Sequence, residues 1–294
     1  MAIKILINGA NGQLGKDLQD LTHLFPQFQF KFFSHDEWDV CDDRQSQAIL
    51  QSLSANYLIH AAAYTQVDDA ETNSSKCIEI NANASGRIAN ICALQRTRMI
   101  YISSDYVFHQ EKPDLIKEST QKNPRGVYAT SKSMGEDLVT QSGAESLILR
   151  TSWLYSSHGH NFVKTMLRIS KTKDVINVVN DQVGSPTYAY DLGTAILNLI
   201  TKWELHPLPE DGPIFHYSNE GTCSWYEFAK YIFELAGISI TVNPISTLSF
   251  GSKTPRPPFS GLDCSKFESW VNMKRPHWKI ALQRCMQKLI SDMN

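Results

Sequence analysis

Short apolar runs separated by stretches of helical periodicity set the outline of the chain. Residues 3–7 (IKILI), 28–33 (FQFKFF), 56–60 (NYLIH), 99–103 (MIYIS) and 146–150 (SLILR) are too short for helices. They are dense enough in Ile, Leu and Phe to be strands buried on both faces. Between them, apolar residues fall near helical spacing at 13–24 and 75–95. Alternation of this kind predicts an α/β fold with a doubly wound parallel sheet of Rossmann type. Crossovers in such sheets are right-handed, and ligands collect at the carboxyl ends of the strands.

After Trp153 the texture changes. A polar turn (SSHGHNF) leads into an amphipathic stretch (VKTMLRISK), then a strand with a glycine and proline turn (VINVVNDQVGSPTY), then a helical segment over 190–203. The stretch PLPEDGP interrupts the pattern, and Ser224 with Glu227 three residues later forms a capping box for a helix that Gly237 stops. The expected organisation is a dinucleotide-binding domain over 1–155, to which 187–203 returns. A smaller substrate-binding lobe over 156–186 and 204–294 then closes over the sheet edge.

Candidate chemistry begins at the first turn. The strand 3–7 runs into NGANGQLG and then a helix, so Gly9, Asn11, Gly12, Gln13, Leu14 and Gly15 are predicted to cradle a dinucleotide. Gly9 permits the turn, Gly12 lets the backbone approach a pyrophosphate, and Gly15 lets helix and strand pack closely. Unpaired N–H groups at the helix start then face the phosphates. The second strand ends in Ser34 and His35 rather than in an acid, which favours NADPH over NADH or tolerance of both. Asp39 and Val40 are placed beside the adenine. The small residues Ala61, Ala62 and Ala63, with Tyr64 and Thr65, follow the third strand where a flat cofactor can lie against backbone. Ile102, near the end of the fourth strand, is assigned to the same site.

Tyr128 and Lys132 are four apart and share one face of a helix. An ammonium beside a phenol favours the ionised phenol, whose ordinary pKa is about 10. Lowering it by roughly three units requires about 4 kcal/mol, within reach of a lysine, a cofactor's positive ring and partial desolvation acting together. Such a tyrosine passes a proton to a developing alkoxide, and Ser104 is a second hydrogen-bond donor to the same oxygen.

Composition narrows the partners. The chain has 294 residues, 42% apolar and 20% charged, with a formal net charge of -2. That balance offers no general attraction to nucleic acid or anionic membrane, so neither is expected as a partner. No run approaches a membrane span and no signal peptide precedes the glycines, which predicts a soluble, cytoplasmic protein. Cys41, Cys77, Cys92, Cys223, Cys264 and Cys285 include no CxxC pair and are expected to be reduced.

GANGQLG, HAAAYTQVDDAE, SSDYVF, VYATSKSMGE, RTSWLY, NFVKTMLR, NDQVGSPT and RPPFSGLD occur in an order and spacing that resembles the dTDP-4-dehydrorhamnose reductases. These are extended short-chain dehydrogenases/reductases, and the likeness runs from residue 3 to about 267. It implies reduction of the 4-keto group of dTDP-4-dehydro-L-rhamnose by NADPH or NADH, with Tyr128 as proton donor. Lys132 would be its activator and a ribose ligand, Ser104 would bind the keto oxygen, and Asp105 and Trp153 would face the sugar. Asn161 and Arg256 would lie near the nucleotide diphosphate. The glycine that follows the family's tyrosine is Ala129 here. Some family members hold magnesium at a dimer interface, but no matching acidic trio is visible, so no metal is expected, and a homodimer is allowed. Two other readings share these motifs: a reductase of a different dTDP-4-keto-6-deoxy sugar, and a non-catalytic subunit like the regulatory subunit of methionine adenosyltransferase.

Overall fold

The computed structural model describes residues 2–252 and 254–291. Its centre is a six-stranded sheet: β1 (Ile3–Asn8), β2 (Phe28–Phe33), β3 (Tyr57–His60), β4 (Arg98–Ser104), β5 (Ser146–Thr151) and β6 (Ile214–His216). They lie side by side in the order β6-β5-β4-β3-β1-β2, and every neighbouring pair is parallel. The order reverses between β1 and β3, so the crevice outside their carboxyl ends is where such a sheet binds ligands.

Alternate residues of each strand feed two separate cores. Ile5 and Ile7 of β1, Tyr57 and Ile59 of β3, and Leu147 and Leu149 of β5 face one side. There they meet Leu14, Leu18 and Leu21 of helix α1 (Gln13–Leu21). Leu6, Leu58, Met99, Tyr101 and Ile148 face the other side, against helices α2 (Asp43–Leu53), α3 (Ser85–Gln95) and α4 (Val127–Gln141). Each fully buried Leu or Ile contributes about 1.5–3 kcal/mol over its exposed state, so burial on both faces fixes these short strands where local preference would not.

The lobe is built from helices α5 (Phe162–Ile169), α7 (Trp225–Ala236) and α8 (Trp278–Ser291) around their own apolar cluster. Between α5 and α7 comes α6 (Ala189–Leu205), whose Leu192, Ile196 and Ile200 pack with α1 in the first core. Residues 204–294 were expected to lie wholly in the lobe, yet β6 adds to the central sheet beside β5 and Phe267 packs in the first core. Three residues are too few to signal a strand by pattern, and only the open edge of β5 gives them a partner.

Candidate active site

The residues after β1, β2, β3, β4 and β5 enclose a cleft of about 730 Å³ at the carboxyl edge of the sheet. A wider groove of about 1170 Å³ lies beside the start of β6, lined by segments such as 117–119 and 206–214, and it brings none of the candidate residues together.

The glycine turn forms one wall. Gly9 has φ +71°, and a Cβ there would sit 2.8 Å from the Ala62 nitrogen. A Cβ on Gly15 would sit 2.5 Å from the Gly9 carbonyl oxygen and 2.7 Å from the Ala10 carbonyl carbon. Side chains are thus excluded where the backbone must fold tightly under a ligand. Asn8 holds the turn in register: its Oδ1 accepts from the Ala61 and Ala62 N–H groups at 3.0 Å each, and its Nδ2 donates to His60 Nδ1 at 2.7 Å. His60 is neutral, since burial and then Lys132 lower its pKa to about 3. Its Nε2–H therefore donates to Ser85 Oγ at 3.0 Å. The Asn8 and His60 link was not anticipated, because an Asn ending a strand has no local signal that it spans two strands.

The opposite wall comes from β4 and α4. Gly126 offers α4 no side-chain cap, and Glu71 Oε1 accepts the Val127 N–H at 2.8 Å instead, placing negative charge at the helix N-terminus. Ahead of α3 the chain runs in a π-helical stretch, Glu79–Ala84. There the Asn81 side chain bonds both the Tyr64 N–H and its carbonyl, and Asn81 Nδ2 donates to Ser131 Oγ on α4 at 3.0 Å. A π-bulge of this kind is common near functional sites and has no sequence signature.

Ser104, Tyr128 and Lys132 come together here. Lys132 is 2% exposed; its Nζ donates to the Ile102 carbonyl at 2.7 Å and lies 4.2 Å from the centre of the Tyr101 ring. Burial lowers its pKa to about 7, with Glu136 opposing. The protein's own groups do not acidify the phenol. Burial pushes the Tyr128 hydroxyl up, a hydrogen bond with Ser104 pulls it part of the way back, and Asp105 pushes it further up. The ammonium is spent on Ile102 and Tyr101, so the protein alone keeps this phenol protonated. Asp105, 2% exposed, is raised to about 7 by burial, against hydrogen bonds from Ser260 and Ser104.

Beneath the wall, Glu136 follows Lys132 by one helical turn and is 2% exposed, as is Arg150 of β5. Its two oxygens accept Arg150 Nε–H at 2.8 Å, Arg150 Nη2–H at 2.7 Å and the Ser103 hydroxyl at 2.6 Å. This pair fixes α4 to the sheet, and its partners are distant in sequence.

Most predicted binding residues border the cleft: Gly9, Asn11 to Gly15, Asp39, Val40, Ala61 to Ala63, Thr65, Ile102, Asp105 and Trp153. Four do not. Ser34 is turned away, its N–H and hydroxyl both donated to Glu37 Oε2 at 2.8 Å, and His35 borders the cleft in its place. Tyr64 is held by Asn81, as above. Asn161 caps α5 and donates to Gln13 Oε1 at 2.9 Å, so it touches the glycine turn through Gln13. Arg256 donates to Asp68 Oδ2 at 2.8 Å and to the Tyr106 hydroxyl at 3.1 Å, behind the wall that Tyr106 forms. Thr151, Ser152, Gly159 and His160 also border the cleft. No pattern in the sequence distinguishes them, because the sheet edge alone brings them there.

Among the described residues one trio of metal-ligand type converges, where none was expected: Asp17, Asp20 and His158. Lys288 bonds the same Asp20 oxygen as His158, so the cluster contains its own cation. Burial raises Asp17 to about 6, against a hydrogen bond from Ser156.

The cradle suits a dinucleotide: at Gly9 and Gly15 a Cβ would collide with backbone, and the buried Thr151 Oγ1 on the cleft wall has no hydrogen-bond partner among the described residues. A parallel sheet with this turn after its first strand, and Ser104, Tyr128 and Lys132 at its carboxyl edge, defines an extended short-chain dehydrogenase/reductase. Residues 3–291 match the family described as the RmlD substrate binding domain, and the chain belongs to that family. It is 34% identical over 287 residues to a dTDP-4-dehydrorhamnose reductase of Aggregatibacter actinomycetemcomitans, covering 95% of this chain and 97% of the relative. It is 35% identical to the spore coat polysaccharide biosynthesis protein SpsK of Bacillus subtilis, covering 97% of each. Among solved structures, a dTDP-4-dehydrorhamnose reductase from Bacillus anthracis in complex with NADP superposes with a TM-score of 0.90 at 36% identity, covering 97% of this chain and 99% of the other. No helix among the described residues is long and apolar enough to cross a membrane.

Proposed function

We propose that this protein reduces the 4-keto group of dTDP-4-dehydro-L-rhamnose to give dTDP-L-rhamnose, using NADPH or NADH in the cytoplasm. The observation that carries the reading is the arrival of Ser104, Tyr128 and Lys132 in the same cleft as the Gly9 to Gly15 turn. Family membership and the two reductase relatives support it.

The turn and the N-terminus of α1 bind the pyrophosphate, and Asp39 and Val40 border the adenine end. A reduced nicotinamide, when bound, supplies the hydride for carbon 4 of the sugar. Ser104 and Tyr128 hold the keto oxygen, and Tyr128 gives its proton to the alkoxide as it forms. Tyr128 holds its proton until the alkoxide, a stronger base than a phenolate, develops. Lys132, anchored on Ile102, lies under the site and is a ligand for the ribose. Trp153 and Asp105 face the sugar.

Purified protein is offered a panel of dTDP-4-keto-6-deoxy sugars while NADPH and NADH consumption is followed and the product is identified by NMR. Conversion of dTDP-4-dehydro-L-rhamnose to the rhamnose nucleotide is expected. Faster turnover of a different 4-keto sugar would reassign the substrate, and cofactor binding without turnover of any of them would reject the enzyme.

A further inference from the structure

We infer that Trp225 is a positioning residue for the sugar: it stacks on Trp153 and holds that indole as a wall of the cleft. The inference rests on the reductase reading for the identity of the sugar.

Trp153 borders the cleft together with Asp105 and Tyr128, immediately after β5. Its φ is +46°, in the left-handed region that bulky residues rarely occupy. Strain of this kind persists only where the surroundings over-determine it, and it gathers at functional sites. Two neighbours supply that constraint. Gly184 lies against one edge of the indole, where a Cβ would come within 2.6 Å of Trp153 Cε2 and 2.7 Å of its Nε1. Trp225 lies on its face, ring centroids 3.5 Å apart and planes inclined by 4°. Free aromatic pairs prefer an offset or edge-on arrangement to full overlap, so the backbone on each side imposes this one.

The position of Trp225 is set with care. It is the first residue of α7, directly after Ser224, whose hydroxyl accepts the Glu227 N–H at 3.1 Å while Glu227 Oε2 accepts the Ser224 N–H at 2.7 Å. Phe162 of α5 packs on it at 4.6 Å. Trp225 therefore joins the apolar core of the lobe to the wall of the cleft without bordering the cleft itself. The free part of the Trp153 indole offers a flat apolar surface to the C–H face and methyl group of a 6-deoxyhexose, and its angle follows the stack. A tryptophan present only to fill the lobe would affect folding stability and leave sugar affinity alone.

The test uses Trp225→Leu and Trp225→Phe in the full chain. Circular dichroism of the parent should show the exciton couplet of two overlapping indoles, absent in Trp225→Leu and in Trp153→Phe. Titration calorimetry with the unreactive dTDP-glucose, and KM for the 4-keto sugar, should show affinity weakened by up to about tenfold in Trp225→Leu, the most that losing one aromatic pair's hold on the Trp153 ring can shift its population. Affinity for NADP+ should stay at the parental value, and Trp225→Phe should recover most of the loss. Parental sugar affinity in a folded Trp225→Leu that lacks the couplet would overturn the inference and leave the reductase reading intact. Should Trp225→Leu fail to fold, Trp225→Met, which keeps the volume and removes the aromatic face, takes its place, and parental sugar affinity there would overturn the inference equally. A parent that neither binds dTDP-glucose nor turns over any dTDP-4-keto sugar would defeat the reductase reading first, and this inference with it.

Discussion

Replacing Glu136 by Gln removes a charge from the interior while leaving the shape of the side chain. In the parent, its carboxylate accepts three short hydrogen bonds, two from Arg150 and one from Ser103. The guanidinium left behind is 2% exposed and among the described residues has only neutral acceptors, the Glu118 carbonyl at 3.3 Å and His216 Nε2 at 3.3 Å. His216 is itself held neutral, its pKa lowered to about 3 by burial and by Arg150, so it contributes no countercharge. Breaking a buried pair by deleting one partner costs about 3–5 kcal/mol, and an amide oxygen that still accepts one N–H puts Glu136→Gln near about 3 kcal/mol. At about 2.1 cal/mol/K per residue over this chain, the melting temperature should fall by about 5 °C. Calorimetry and circular dichroism melts measure it directly. The double variant Glu136→Leu with Arg150→Met should recover most of the loss, because no charge is then stranded. Since Glu136 also supports the charge on Lys132, the limb of the rate–pH profile that reports Lys132 should move to lower pH in Glu136→Gln. A single variant melting within about a degree of the parent would refute the reasoning, because the pair could not then be desolvated as the geometry requires.

Three further outcomes are expected. Tyr128→Phe should bind NADPH with parental affinity and lose about 10²–10⁴-fold in kcat, measured by stopped-flow and steady-state assay; parental turnover would remove Tyr128 from the mechanism. Gly15→Ala forces a Cβ against the Gly9 carbonyl and should destabilise the chain by about 1–3 kcal/mol and weaken cofactor binding, read by urea unfolding and titration calorimetry. Asp105 keeps its proton in the folded chain up to about 7, whereas an unfolded aspartate loses it near about 4. The folded state therefore binds more protons between those values, and parental stability falls as pH rises through that window. Asp105→Asn abolishes this titration, so its stability relative to the parent should climb between about pH 4 and pH 7 and level off above. Urea unfolding across the range tests the sign, and a falling relative stability would contradict it.

Local chemistry determined much of this protein in advance. Runs such as IKILI and SLILR are apolar enough on both faces to read as interior parallel strands, and NGANGQLG reads as a tight turn feeding a helix. Spacing alone put Tyr128 and Lys132 on one helix face. What those groups do to each other was decided by the tertiary structure, because desolvation depends on everything packed around a site. The Lys132 amine turned to the Ile102 carbonyl, and burial rather than Lys132 is the largest influence on the Tyr128 hydroxyl, an outcome that i,i+4 spacing does not contain. The same holds for Glu136 with Arg150, Asn8 with His60, and Trp153 with Trp225. Each is a contact between residues far apart in the chain, and each exists only because a sheet with helices on both faces, and a lobe above its edge, bring them together.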